Sequence, residues 1–277
     1  EIEENSELDL FAAFNAHAGD ARIEKVVAEM AEELGQGNKM PGILPKLAQY
    51  EITLLDWAEE HKGEREFVIF ANKCWPSFQT QFGFVPCYVN SRLTGRGIPV
   101  SCEVDIWGAV SEYIGQCVSD DAVTLLDINN TVPADIYEND IKGKFTYAHT
   151  DTFMGFHCGN TTAKKLTSCE MKYQLIMHRG LEPDKEPDIT RGTLEGDIIP
   201  SQITFFRLQS TADAQLAAYV AEGEILPVAT RSFGGIGIFA INEMGRFYRH
   251  VLIEGRFPHQ GAVTLSLIHI SEPTRPY

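Results

Sequence analysis

Two acidic residues, Glu103 and Asp127, lie where their carboxylates could act on one small molecule. Each residue ends a segment with the apolar composition of a buried strand, and 24 positions separate them. If the strands are neighbours in a parallel sheet, about 4.8 Å apart, both carboxylates open on the same edge. Two carboxylates at so short a distance repel one another unless a proton or a cation lies between them. The pair therefore predicts a divalent metal site, with Mn²⁺ or Mg²⁺, or an acid–base pair. A helix cap or a surface ion pair for each residue is the alternative.

Three histidines and a third carboxylate extend the set of candidates. His149, His157 and His259 lie in turn-like contexts beside Gly or Pro, where functional side chains tend to occur. A solvent-facing or capping role is nevertheless the commoner one for a histidine in a loop. Asp105 directly precedes a predicted helix, so we expect it to be an N-cap rather than a metal ligand.

Several other chemistries find no support. Residues 235–240 match the pattern GxGxxA, but the glycines lie within a β-rich apolar run that no predicted helix follows, so we expect a strand rather than a dinucleotide site. The sequence contains no Walker A loop, GxSxG elbow or HExxH motif. Its six cysteines form no CxxC pair, which argues against a structural zinc site.

The elements that position these residues change in character along the chain. Apolar spacing predicts helices over residues 7–18, 20–34, 43–62 and 106–118, and strands over 67–71, 98–103 and 122–127. This alternation indicates a parallel, Rossmann-like sheet. Later segments are short, β-branched and aromatic, namely 202–208, 225–231, 235–241 and 247–253. We therefore predict an α/β fold, with a Rossmann-like domain at 1–145 and a mainly antiparallel, barrel-like domain at 146–264.

Composition excludes some partners. The 277 residues include 23 Lys and Arg and 39 Asp and Glu, a formal net charge of −16, which argues against nucleic acid or an anionic membrane. No apolar run approaches the roughly 20 residues that span a bilayer. We expect a cytoplasmic protein. The chain opens without Met, so we expect further residues before it, and residues 265–277 resemble translated adapter sequence and are expected to be non-native.

Five short motifs resemble the L-fucose/L-arabinose isomerase family. They occur in order along residues 65–263, and the separation of 24 between Glu103 and Asp127 strengthens the resemblance. The motifs are residues 74–79 (CWPSFQ), 102–109 (CEVDIWGA), 127–129 (DIN), 157–160 (HCGN) and 257–259 (FPH). The resemblance implies a metal-dependent aldose–ketose isomerase that works through an enediolate, and a homo-oligomer when the protein is full length.

The resemblance also implies roles for individual residues. Glu103 and Asp127 would be metal ligands that also act as the acid–base pair, and His259 would be the third protein ligand to Mn²⁺ or a similar divalent ion. Trp75 and Gln79 would form a wall for the sugar substrate, with core packing and surface exposure as their respective alternatives. His157 would contact sugar hydroxyls, so the resemblance implies three substrate-binding residues, Trp75, Gln79 and His157. The sequence has Gln260 where a second His is expected in many relatives.

Two rival interpretations remain at this point. A non-catalytic sugar-binding α/β module also suits an open sheet edge, although it has no need of two adjacent acids with a histidine. An isomerase fragment that is inactive is the second alternative, because a neighbouring N-terminal domain helps to close the site in the family.

Overall fold

The computed structural model describes residues 1–74, 77–129, 132–157, 161–173, 191–232, 234–257 and 260–265. The predicted helices of the first half are present, and the one predicted at 43–62 is capped at its C-terminus by Gly63, whose φ is 58°. The helices of this half are α1 (Glu7–Ala16), α2 (Ile23–Leu34), α3 (Leu44–Lys62), α4 (Ser77–Gln81), α5 (Cys87–Thr94) and α6 (Ile106–Ser119). No helix in the described part of the chain has the length and apolar character that a membrane crossing needs.

Two short strands form a parallel sheet. β1 (Phe70–Ala71) pairs with β2 (Val100–Ser101), with Phe70 opposite Val100. Both strands fall within segments predicted as strands, and their parallel direction is as predicted. The described residues show no larger parallel sheet, so the Rossmann-like part of the prediction is not confirmed.

Eight further strands form a large, mainly antiparallel sheet. They are β3 (Thr124–Ile128), β4 (Thr152–His157), β5 (Glu170–Tyr173), β6 (Arg191–Asp197), β7 (Ser201–Ser210), β8 (Leu216–Leu226), β9 (Gly235–Ala240) and β10 (Gln260–Leu265). Their order is β4-β3-β10-β7-β8-β9-β6-β5, and β4 also pairs with β9. The extra pairing curls the sheet back on itself, while β5 and β6 extend beyond the curl. The predicted antiparallel character of the later chain is confirmed, and the predicted barrel is not a simple closed one.

β3 has different partners from those predicted. It pairs antiparallel with β10 and with β4, and not with β2. A continuous apolar run indicates burial on both faces, but it carries no information on the direction of the neighbouring strands. Because β3 precedes residue 145, the large sheet draws on both predicted domains; the boundary at 145/146 and that at 264/265 stay predictions.

Alternate residues of the large sheet face two different cores. Leu126 and Ile128 of β3 belong to the main core, together with Phe153, Phe205 and Val263. The opposite face carries the smaller cluster of Val123, Leu125, Phe206 and Ala262. α6 covers this second face.

Two predicted strands take another form. Residues 247–253 are helical, because α8 (Met244–Phe247) continues into the π-helical turn Tyr248–Glu254. Met244, Phe247, Tyr248 and Val251 all reach the main core, and that is the spacing of one helix face. The strand predicted at 225–231 ends at Leu226, where Pro227 follows.

A second π-helical turn, Tyr137–Ile141, follows the short helix α7 (Ala134–Ile136).

Candidate active site

Glu103 lies in a strained turn between β2 and α6. Its side chain is exposed, and its φ is 60°, while that of Val104 is 57°. The left-handed region is sparsely populated by residues other than glycine. The turn ends at Asp105, whose carboxylate accepts a hydrogen bond from the Gly108 amide at 2.8 Å. Asp105 is therefore the N-cap of α6, as predicted.

Asp127 lies near the end of β3 and has neighbours on both sides. It is directly opposite Gln260 of β10 and Phe156 of β4. Residues directly opposite one another in antiparallel strands point to the same face of the sheet. His259 itself lies outside the described residues, but it precedes Gln260 in the chain, and consecutive Cα atoms are about 3.8 Å apart. The register thus sets Gln260, the described residue that follows His259 in the sequence, opposite Asp127.

The course of α6 relates Glu103 to Asp127. A Cβ atom built on Gly115 would lie 3.0 Å from Cγ2 of Val123, and one built on Gly108 would lie 2.8 Å from Cδ2 of Leu125. α6 and β3 therefore run in opposite directions, and the start of α6 lies at the end of β3 that carries Asp127. The two glycines share a helix face and allow close packing, since any larger side chain would collide with the sheet.

This arrangement differs from the predicted one in its geometry. The carboxylates do not lie on adjacent parallel strands; Glu103 follows the small sheet and Asp127 belongs to the large one. Within the residues that the structure describes, no group of three or more His, Cys, Asp or Glu side chains is gathered as a metal site. The described set lacks His259, so the predicted three-ligand site stays a prediction.

Cys74 and Gln79 lie close to the Glu103 turn. Hydrogen bonding with the Cys102 thiol lowers the pKa of Cys74, although burial and the charge of Glu103 act in the opposite direction. Gln79 is 4% exposed, and its Nε2 donates to the Cys74 carbonyl at 3.2 Å. The Oε1 of Gln79 is buried and has no hydrogen-bond partner among the described residues. Surface exposure, the alternative for Gln79, is therefore wrong. Trp75 lies outside the described residues.

His157 ends β4 and is 2% exposed. It lies opposite Gly235 of β9, and its Nδ1 has no hydrogen-bond partner among the described residues. Thr161 is close by, because a Cβ atom on Gly235 would lie 2.4 Å from the Thr161 hydroxyl oxygen. His149, in contrast, stacks on Tyr137 with ring centroids 4.5 Å apart.

Sequence reasoning missed two buried ionisable residues at the interface between α6 and the large sheet. Arg207 of β7 is 2% exposed, and its two terminal nitrogens donate to the Asp105 carboxylate at 2.7 and 2.5 Å. Glu112 of α6 is 1% exposed, and burial raises its pKa to about 8. The signal for Arg207 was an arginine within an apolar strand pattern, since a buried charge requires a partner.

Comparisons with known proteins agree with the motifs. Residues 155–271 match the family model described as L-fucose isomerase, C-terminal domain. The sulfoquinovose isomerase of Alkalicoccus urumqiensis is 24% identical over 264 residues, which are 92% of this chain and 52% of that protein. That of Clostridium sp. (strain MSTE9) is 28% identical over 163 residues, 56% of this chain and 30% of that protein. That of Priestia aryabhattai is 32% identical over 77 residues, 28% of this chain and 16% of that protein.

The chain thus spans at most about half the length of these curated relatives. Three of the quoted motifs, residues 74–79, 102–109 and 127–129, precede the matched domain, and the match to the Alkalicoccus protein covers nearly the whole chain. The resemblance predicted from the motifs is confirmed for residues 155–271, which match the C-terminal domain of L-fucose isomerase, and the sulfoquinovose isomerases are similar to further parts of the chain.

Proposed function

We propose that this chain is part of a metal-dependent aldose–ketose isomerase that works through an enediolate. In this proposal Glu103, Asp127 and His259 hold a divalent cation, with Mn²⁺ as the preferred ion. The observation that carries it is the register of β3 and β10, which sets Asp127 directly opposite Gln260, the described residue that follows His259 in the sequence. The packing of α6, which directs the Glu103 turn toward the same end of β3, supports it.

The donor set fits such an ion. Two carboxylates and one imidazole are oxygen and nitrogen donors of the kind that Mn²⁺ accepts, and three protein ligands leave positions for sugar oxygens. Within the described part of the chain, the buried Oε1 of Gln79 and Nδ1 of His157 have no hydrogen-bond partner, and in this proposal these polar atoms meet sugar hydroxyls.

The chemistry follows from the side chains. When bound, a divalent cation stabilises the negative charge that develops on the sugar oxygens as the enediolate forms. One carboxylate of the Glu103–Asp127 pair accepts the proton from C2 of the aldose and returns it to C1. The other moves the hydroxyl proton from O2 to O1, so that the ketose differs from the aldose only in the positions of two hydrogens. Gln79 and His157 orient the sugar.

A metal-dependent thermal shift tests the ligand set. At a Mn²⁺ concentration 100-fold above its Kd, binding stabilises the folded state by about 2.7 kcal/mol, which is roughly 5 to 10 °C in a chain of this size. We expect that rise for the wild-type chain, and we expect Glu103→Gln and Asp127→Asn to abolish it. Asp135→Asn, an exposed carboxylate at the start of α7, is the matched control and should retain it.

An aldose panel with Mn²⁺ tests the activity. The panel includes L-fucose, L-arabinose and sulfoquinovose, the last because of the relatives' names. Ketose formation is the expected result, with deuterium from heavy water at C1 in those turnovers in which the carboxylate exchanges its proton with solvent before returning it. Sugar-induced stabilisation with neither ketose nor a Mn²⁺ shift would instead identify a sugar-binding module and overturn the proposal. Cytoplasmic location and homo-oligomeric assembly remain part of the proposal and are tested by fractionation and by light scattering.

A further inference from the structure

The turn that carries Glu103 is held in an unfavourable backbone conformation. Two consecutive residues, Glu103 and Val104, have left-handed φ angles of 60° and 57°. The left-handed conformation costs an L-residue roughly 1 kcal/mol or more, and it is rarest for β-branched residues such as valine. Strain of this kind persists only where the surrounding contacts determine the backbone strongly.

Backbone contacts fix both sides of the turn. The Val104 amide donates to the Asn72 carbonyl at 3.1 Å, and the Asp105 amide donates to the Cys102 carbonyl at 3.1 Å. The hydroxyl of Ser101 donates to the Asp105 carbonyl at 2.6 Å. Two of these three bonds involve Asp105, the residue that closes the turn.

The carboxylate of Asp105 is in turn fixed by Arg207. Both carboxylate oxygens accept from the guanidinium, and Gln209 Oε1 accepts from the same guanidinium at 3.1 Å. The arginine side chain is 2% exposed and that of Asp105 is 13% exposed, so the pair is screened from solvent. A buried ion pair contributes little net stability compared with apolar residues of the same size, and its best-supported effect is to specify geometry.

The position of Arg207 in the large sheet links the Glu103 turn to the strand that carries Asp127. β7 carries Arg207 and pairs with β10, which in turn pairs with β3 opposite Asp127. A second link lies beside it, since the Leu208 amide donates to the Ser111 hydroxyl of α6 at 3.0 Å. The turn of Glu103 is therefore tied to the same sheet that carries Asp127.

We propose that Arg207 is a positioning residue, which holds the Glu103–Val104 turn through its ion pair with Asp105 so that Glu103 reaches the metal site. The inference rests on the proposed function, in which Glu103 is a ligand. Residues that orient metal ligands typically change metal affinity by roughly 10- to 100-fold when replaced. Arg207 touches neither the metal nor the sugar in this scheme.

Two measurements on the metal-free and metal-loaded chain test the proposal. Arg207→Met removes the ion pair and keeps an unbranched side chain, while Arg207→Lys keeps a charge but loses the two-point geometry. We expect Arg207→Met to weaken Mn²⁺ binding roughly 10- to 100-fold by calorimetry and to accelerate exchange of the Val104 and Asp105 amides without metal. Arg207→Lys should recover part of both, and the exposed control Arg249→Met should change neither.

The outcomes separate the two proposals. Wild-type amide exchange and wild-type Mn²⁺ affinity in folded Arg207→Met would overturn the positioning role and leave the proposed function intact. Failure of the wild-type chain itself to bind Mn²⁺ would count against the proposed function, and with it against the role of Arg207. If Arg207→Met does not fold, Asp105→Asn decides the question, because asparagine retains the N-cap while losing the charge.

Discussion

Replacement of Glu112 by Gln is expected to stabilise the folded chain, increasingly so as the pH rises from 5 to 8. Glu112 lies on the buried face of α6, between Gly108 and Gly115, and is 1% exposed. Burial raises its pKa from the ordinary value of 4.5 to about 8; the charge of Asp105 adds to the rise, and the Leu125 amide opposes it. The folded protein therefore holds a neutral carboxyl at this position at pH 7.

Proton linkage determines the sign and size of the change in the free energy of unfolding. Between pH 4.5 and pH 8 the folded chain keeps the Glu112 proton while the unfolded chain releases it, so the free energy of unfolding falls as the pH rises. The slope is at most about 1.4 kcal/mol per pH unit, which amounts to about 3 kcal/mol at pH 7. Glutamine has no proton to release, keeps a carbonyl oxygen that can face Leu125, and removes this loss.

Urea unfolding followed by circular dichroism at pH 5, 6, 7 and 8 measures the effect. The difference between Glu112→Gln and wild type should grow with pH and level off above pH 8. Glu60→Gln, an exposed glutamate of α3, is the control and should stay within about 0.5 kcal/mol of wild type at each pH. A difference that is independent of pH, or a variant less stable than wild type at pH 7, would refute the burial argument.

Substitutions at two further sites, Arg92 and Gly196, test the packing of the rest of the chain. Arg92→Met should lower the free energy of unfolding by about 3 kcal/mol, because it leaves the fully buried carboxylate of Glu51 without its bond of 2.6 Å to Arg92. Arg92→Lys should lower it by less. Urea titration measures both variants, and an unchanged unfolding midpoint would contradict the importance of the buried pair. Gly196→Ala should lower the free energy of unfolding by about 1 to 3 kcal/mol, because its Cβ would lie 1.8 Å from the Ser168 carbonyl oxygen. Gly42→Ala, where the added Cβ meets open space, is the control and should leave the stability unchanged. Equal melting temperatures for the two variants would contradict the close approach at Gly196.

The helices were predictable because their signal is local. The stripe of α2 and the N-cap of α6 depend on residues within a few turns of one another, and the structure has them within a few residues of the predicted bounds. The helix at Tyr248–Glu254 was misread because its aromatic and β-branched residues favour a strand on composition. There the tertiary contacts of Phe247 and Val251 with the core determine the outcome, and composition alone does not contain them.

The partners of β3 and the ion pair of Arg207 could not be predicted in the same way. β3 is apolar on both faces because α6 covers one and the main core the other, and that pattern is the same for parallel and antiparallel neighbours. Arg207 and Asp105 are 102 positions apart, so their contact depends on the pairing of β7 in the sheet. The sequence indicates that a buried arginine needs a partner, but not which carboxylate supplies it.

The separation of 24 residues between Glu103 and Asp127 determines how close the two carboxylates lie, whichever strands are neighbours in the sheet. α6 has 14 residues and is about 21 Å long. The chain then returns along that helix through residues 121–127, which in extended form cover about 23 Å. Because the two lengths nearly cancel, Asp127 comes back level with the start of α6, where Glu103 lies. A helix and the strand that follows it thus set the relation between the two carboxylates, whether that strand joins a parallel or an antiparallel sheet. The spacing would therefore tolerate exchange of strand partners, whereas insertion of a few residues into α6, which shifts its start by about 1.5 Å per residue, would separate the pair.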